Sequence, residues 1–205
     1  MWLVKLGGSL SYDPCIRTWL DALSTVGGGR VIIVPGGGPF ADLVRDAQQH
    51  WEFDDEAAHR MALHAMQQNA LLLAALCPAL MPVESESDMR IVLSRGRTAL
   101  WLPLAMTLGN PDLEANWNVT ADSIGAWLAN YLNAERLILV KSCRLPVSPF
   151  DADAMSVAGI VDRAFPKFVR DACFDTVLLD KNQIDGLREL LLGERPVPGS
   201  GNRPG

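Results

Sequence analysis

Three stretches carry an aliphatic side chain at every position: Val31-Ile32-Ile33-Val34, Leu137-Ile138-Leu139-Val140 and Val177-Leu178-Leu179. Successive residues of a strand face opposite sides, so an unbroken apolar run needs cover on both faces. A parallel sheet lying between layers of helices supplies that cover. Strands are predicted near residues 2–6, 30–35, 80–83, 89–94, 99–104, 136–141 and 176–180. Between most of them run segments of helical period. Asp13 caps the first, with Pro14 at its first position. Ile16, Trp19, Leu20, Leu23 and Val26 share one face of it, and Gly27-Gly28-Gly29 ends it. Further helices are predicted from Pro39, from about Asp54 to Cys77 before Pro78, and from about Thr120 to Leu132, with shorter ones near 164–172 and 184–192. The alternation argues for an α/β fold, a three-layer α/β/α sandwich with a mostly parallel central sheet.

At 205 residues, 49% hydrophobic and 20% charged, the chain has an ordinary globular balance. It is long enough to bury roughly 70% of its unfolded surface in one core. One domain over residues 1–192 is expected. Residues 193–205, with three Pro and four Gly, read as a loose tail.

The 18 Lys and Arg form no run and the net charge is −6, which points away from nucleic acid and from anionic membranes. An anionic small molecule stays compatible, because a few placed lysines and backbone N–H groups can hold one against the net charge. Cys15, Cys77, Cys143 and Cys173 show no metal-binding spacing and read as reduced thiols. The N-terminus lacks the layout of a signal peptide, and the apolar stretch from Ala70 to Val83 is too short to span a bilayer. A soluble, cytoplasmic protein is expected.

In a parallel sheet, ligands bind beyond the carboxyl ends of the strands. The first strand runs out as Val4-Lys5-Leu6-Gly7-Gly8-Ser9, the second as Val34-Pro35-Gly36-Gly37-Gly38-Pro39. Glycines let the backbone approach a ligand closely, and successive N–H groups ahead of a helix form a concave anion site. Two such loops on neighbouring strand ends, one preceded by a lysine, could hold two anions face to face. That is a layout for phosphoryl transfer, in which positioning and charge neutralisation do most of the work. A tight turn explains either loop taken alone. Neither is G-x-x-x-x-G-K-[ST] nor G-x-G-x-x-G. A third element, Asn116-Trp117-Asn118-Val119-Thr120-Ala121-Asp122-Ser123, opens a helix. Asp122 falls in its first turn, where a carboxylate suits the helix dipole, and a plain cap at Asp122 or Thr120 is the competing explanation.

Lys5-Leu6-Gly7-Gly8-Ser9, Gly36-Gly37-Gly38-Pro39-Phe40, Asn118-Val119-Thr120-Ala121-Asp122 and Phe165-Pro166-Lys167 occur in the order seen in the amino acid kinase superfamily. The chain resembles that superfamily, which includes acetylglutamate, aspartate and uridylate kinases, from residue 2 to about residue 192. Within it, Ala57-Ala58-His59-Arg60-Met61-Ala62 and the stretch from Trp117 to Ile124 resemble the short aminomethylfuran-methanol phosphate kinases of methanofuran biosynthesis.

The resemblance implies an ATP-dependent kinase, with Mg²⁺ carried on the nucleotide, acting on a small anionic acceptor. The leading acceptor is a phosphate monoester, which would become a diphosphate. A carboxylate or nucleoside-monophosphate acceptor is the rival within enzymes, and a non-catalytic nucleotide- or oxyanion-binding protein is the rival outside them. By the same resemblance Lys5, Asp122 and Lys167 would be catalytic, with Asp122 holding both lysines. Gly7, Gly8 and Ser9 would cradle ATP. Lys141, placed by its position at a strand's carboxyl end and not by the resemblance, either reaches a phosphate or is an ordinary surface lysine. Gly36, Gly37, Gly38, Asn118 and Thr120 would bind the acceptor, and no residue would be a dedicated metal ligand. His59 either lines the acceptor pocket or is a solvated helix histidine. A homo-oligomer is expected. Two departures stand out. Lys141-Ser142-Cys143-Arg144-Leu145-Pro146 replaces the usual Thr-Asp-Val-Asp-Gly, and Arg163-Ala164-Phe165 replaces a glycine-methionine pair. His59 and His64 lack the spacing of a helical zinc pair.

Overall fold

The computed structural model describes residues 1–146 and 150–193. Its strands are β1 (Trp2–Leu6), β2 (Val31–Pro35), β3 (Met81–Val83), β4 (Ala99–Trp101), β5 (Arg136–Lys141) and β6 (Asp175–Asp180). They form one sheet in the order β3-β4-β2-β1-β5-β6, with every neighbouring pair parallel. The helices are α1 (Cys15–Val26), α2 (Gly38–Trp51), α3 (Asp55–Leu76), α4 (Glu86–Ser94), α5 (Leu104–Thr107), α6 (Ala121–Tyr131), α7 (Ala152–Val157), α8 (Phe165–Val169) and α9 (Ile184–Leu192). The predicted three-layer sandwich with a parallel sheet is the fold observed.

Alternation along β1 sorts the two cores. Trp2, Val4 and Leu6 face α1 and α9, joining Trp19, Leu20, Leu23, Leu187 and Leu190. Leu3 faces the opposite way, into a cluster with Ile124 and Leu128 of α6, Phe165 of α8 and Met89 and Val92 of α4. Leu3 and Val4 have no exposed surface, and burying such a side chain contributes roughly 1.5–3 kcal/mol. Lys5 follows Leu3 by two, so its side chain leaves the sheet on the α6 face. The strand order reverses between β1 and β5. That is the switch point at which open α/β sheets bind ligands.

The strand expected at 89–94 is instead part of α4. Ser85 caps that helix, its Oγ accepting from the Asp88 N–H at 3.2 Å. Met89 and Val92, three apart, are buried while Ile91 is 47% exposed, a helical and not an alternating pattern. Residues 99–104 divide into β4 and the start of α5. The short α7 and a 3₁₀ turn at Gly8–Leu10 were not foreseen. The expected loose tail lies outside the described residues except for Gly193. Among the described residues, no helix is long and apolar enough to cross a membrane.

Candidate active site

The two glycine loops meet backbone to backbone beyond β1 and β2. A side chain at Gly8 would place its Cβ 2.4 Å from the Gly38 nitrogen, and one at Gly36 would lie 2.4 Å from the Gly8 nitrogen. Gly38 also has φ +58°, a conformation that favours glycine. The second loop is further held by Asn69 of α3, whose buried amide donates to the Gly36 carbonyl at 2.7 Å. On the other side of the first loop, the Gly7 N–H donates to the Val140 carbonyl at 3.0 Å, and the Ser9 and Ser142 hydroxyls lie 2.7 Å apart.

Strand register brings two lysines together. Lys5 pairs with Leu139 across β1 and β5. Lys141, two residues beyond Leu139, therefore projects on the same face as Lys5. The first turn of α6 sits over both. Gly125 of that helix packs against Lys5, where an added Cβ would meet the Lys5 Cβ at an ordinary contact distance of 3.8 Å. Asp122 lies between the ammonium groups, with Lys5 Nζ 2.8 Å from Oδ1 and Lys141 Nζ 2.6 Å from Oδ2. All three side chains are buried.

Burial opposes ionisation of Asp122, but Lys5 and Lys141 outweigh it and hold the carboxyl below the usual carboxylate range. Burial, helped by the Lys5 charge, pushes Lys141 down from 10.5 to about 8 against the pull of Asp122. With both ammonium groups protonated, the three residues carry one net positive charge in a place shielded from water. Such a place suits an anion.

Lys167 is elsewhere. It was expected to pair with Asp122, but it lies on α8 with its side chain 65% exposed and pairs with Glu114 at 3.2 Å. The buried residues of that turn are Phe165 and Pro166, which leaves Lys167 on the solvent side. Lys141 occupies the position expected of the second lysine.

A cavity of about 210 Å³ opens beside Lys5. Gly8, Ser9 and Gly36 to Gly38 form one side, and His59 and Met66 of α3 with Asp42 and Arg45 of α2 form another. Thr120 and Trp117 also line it, and the Arg45 guanidinium lies 4.3 Å from the Trp117 ring centre. Trp117 is fixed by its indole N–H, which donates to Gln48 Oε1 at 2.6 Å. Burial holds the His59 imidazole below its ordinary pKa, favouring the neutral form. Asn118 is exposed and does not line the cavity; its carbonyl accepts from the Ala164 N–H at 3.0 Å.

The cap that α6 needs comes from neither Asp122 nor Thr120. No side chain of its own segment supplies it, and Asp162 supplies it from the α7–α8 connection. Asp42, Arg45 and Asp162 were missed in the sequence. Arg45 falls seven residues after Gly38, two helical turns along α2, and that spacing was the available signal.

Buried lysines on either side of one carboxylate, at the switch point of a parallel sheet and beside two glycine loops, define a phosphoryl-transfer class of α/β protein. The chain belongs to the amino acid kinase family, whose family model matches residues 1–143. That membership sets the reaction class as ATP-dependent phosphoryl transfer. The chain is 22% identical over 208 residues to the [5-(aminomethyl)furan-3-yl]methyl phosphate kinase of Methanocaldococcus jannaschii, spanning 96% of this chain and 95% of that protein. Its fold is similar to that of the uridylate kinase from Archaeoglobus fulgidus, with TM-score 0.68, 16% identity and 98% of each chain covered. It is also similar to the UMP kinase from Bacillus anthracis, with TM-score 0.67, 20% identity, and 98% of this chain and 93% of that one covered.

Proposed function

We propose that the protein transfers the γ-phosphoryl group of ATP to the phosphate of a small phosphate monoester, releasing ADP and a diphosphate. The observation that carries this reading is the buried Lys5–Asp122–Lys141 cluster, whose net positive charge sits where the two glycine loops converge. An acceptor phosphate oxygen attacks the γ-phosphorus, and the bond from that phosphorus to the β–γ bridging oxygen breaks with its electron pair going to ADP. No protein nucleophile is required. Lys5, which lines the cavity, offsets charge on the transferring group. Lys141, on the β5 side with Ser9 and Ser142, offsets charge growing on ADP. Asp122 fixes the geometry of both.

Mg²⁺ fits as an ion borne by the nucleotide. The described residues offer no group of three or more acidic, His or Cys side chains to cage it, and Mg²⁺ is commonly held by phosphates, water and few protein ligands. When bound, it neutralises phosphate charge.

The acceptor pocket favours a compact molecule. Its 210 Å³ falls below the roughly 300–1,000 Å³ of ordinary ligand sites, so a sugar and base together fit poorly. His59 and the Gly36–Gly38 loop are suited to the acceptor phosphate, and the Arg45–Trp117 pair to its other end. The name of the Methanocaldococcus jannaschii relative, aligned along nearly all of both chains, supports an aminomethylfuran-methanol phosphate-like acceptor.

The test is ADP release with aminomethylfuran-methanol phosphate, UMP or N-acetylglutamate as acceptor, with the product followed by ³¹P NMR. A diphosphate formed with the first alone is the expected result. Turnover only with UMP or the carboxylate overturns the acceptor assignment, and no turnover with any acceptor favours a binding protein.

A further inference from the structure

We infer that Asp162 is a positioning residue, clamping the start of α6 so that Asp122 stays between Lys5 and Lys141; the inference rests on the catalytic reading of that cluster. Five donors converge on this one carboxylate. Oδ2 accepts from the Thr120 N–H at 2.8 Å, the Thr120 hydroxyl at 2.7 Å and the Ser123 N–H at 3.0 Å. Oδ1 accepts from the Phe165 N–H at 3.0 Å and from the Ser123 hydroxyl.

The first N–H groups of a helix have no partner within it, and a local Asp, Ser or Thr usually serves. In α6 the acceptor is imported. The consequence is specific to Asp122, which lies between the two clamped residues in the chain. With the helix start satisfied from outside, Asp122 has no capping bond to make and its two oxygens are available to the lysines.

The stretch from Asp162 through α8 is fastened to α6 and the residues just before it twice more. The Ala164 N–H donates to the Asn118 carbonyl at 3.0 Å, and Asn130 Nδ2 donates to the Phe168 carbonyl at 2.7 Å. The Phe165-Pro166-Lys167 stretch thus serves the site by docking α6, not by delivering Lys167. Asp162 also acts on Lys141 through space, favouring its charged form; Lys5 and Asp122 are the other charged groups acting on that ammonium.

Asp162→Asn keeps the size of the side chain but loses the charge and leaves one oxygen to accept. A 1 Å misplacement at a reacting centre can cost on the order of 10²-fold. The variant is expected to lose up to that much kcat, with the Michaelis constants for ATP and acceptor nearly unchanged. In protein labelled with ¹⁵N-lysine, the Lys141 resonance, assigned with Lys141→Arg, should titrate at lower pH than in the wild type. Ser123→Ala removes one donor of the five and should move both readouts the same way by less, which covers the case of an unfolded Asp162→Asn. Thr98→Ala, which loses a buried hydrogen bond to Leu23 far from the site, should lower thermal stability and leave kcat and the titration alone. Lost stability in both Asp162→Asn and Ser123→Ala with kcat unmoved, and with the Lys141 titration unmoved in Ser123→Ala, overturns the inference. If the wild-type protein transfers no phosphate, the proposed function fails, and the Lys141 titration in Ser123→Ala, which keeps the Asp162 charge, still decides the positioning role.

Discussion

Lys141 donates to Asp122 across 2.6 Å, joining the end of β5 to the first turn of α6. The second ammonium of the site therefore comes from the sheet and not from α8. Lys141→Met should lower kcat by roughly 10²–10³, the cost of removing one preorganised transition-state donor. Lys167→Ala should stay within a factor of two or so, since an exposed ion pair is worth about 0–1 kcal/mol. Steady-state kinetics on the two purified variants compares them directly; the reverse ranking would restore Lys167.

Asp122→Asn should damage both activity and stability. Breaking a buried ion pair by removing one partner costs about 3–5 kcal/mol, because the remaining charge is left without compensation. If Asp122 were only a helix cap, asparagine would replace it at little cost. The variant should regain stability as pH rises. Lys141 releases its proton at lower pH in the folded chain, about 8, than at its ordinary 10.5, so the unfolded chain binds more protons across that window. Without Asp122 the window opens at lower pH. Urea unfolding at pH 7 and pH 10 measures the difference, and a flat profile would place the lost stability elsewhere.

In the wild-type enzyme the same titration acts on rate. The charge that Lys141 is proposed to bring to departing ADP fades as pH rises through about 8. A plot of kcat/KM, which reports groups of the free enzyme, should fall on its alkaline side near that value. In Lys141→Arg the fall should disappear, since guanidinium keeps its proton.

Gly8→Ala should weaken ATP and acceptor together. Its Cβ would press on the Gly38 backbone at 2.4 Å, so the loop proposed to cradle ATP cannot move without displacing the Gly36–Gly38 loop proposed to bind the acceptor. Independent loops would lose one ligand only. Calorimetric titration of the variant with each ligand distinguishes the two outcomes.

Much of this was legible beforehand, for identifiable reasons. Val31–Val34 and Leu137–Val140 are short β-branched and aliphatic runs suited to doubly covered strands, and the glycines after Leu6 and Pro35 marked where β1 and β2 end. Met89–Ser94 misled because its apolar residues fit a strand as well as a helix face; Ser85 with Asp88 was the overlooked start signal. Lys141 was harder to place, since its partnership with Lys5 depends on which strands are neighbours. Asp162 was out of reach for the same reason. Its five donors come from residues 120, 123 and 165, and chain proximity links only the last of them to it.

The groups proposed to move phosphate sit on β1, β5 and α6, whereas His59, Met66, Asp42 and Arg45 on the cavity wall sit on α2 and α3. A substitution on that wall can reshape what enters the cavity while the lysines keep their register. Acceptor choice can therefore drift among descendants of this chain, or be steered in the laboratory by libraries confined to two helices, without rebuilding the chemistry. The interlocked glycines are the exception, because they belong to both halves and should resist change in every lineage.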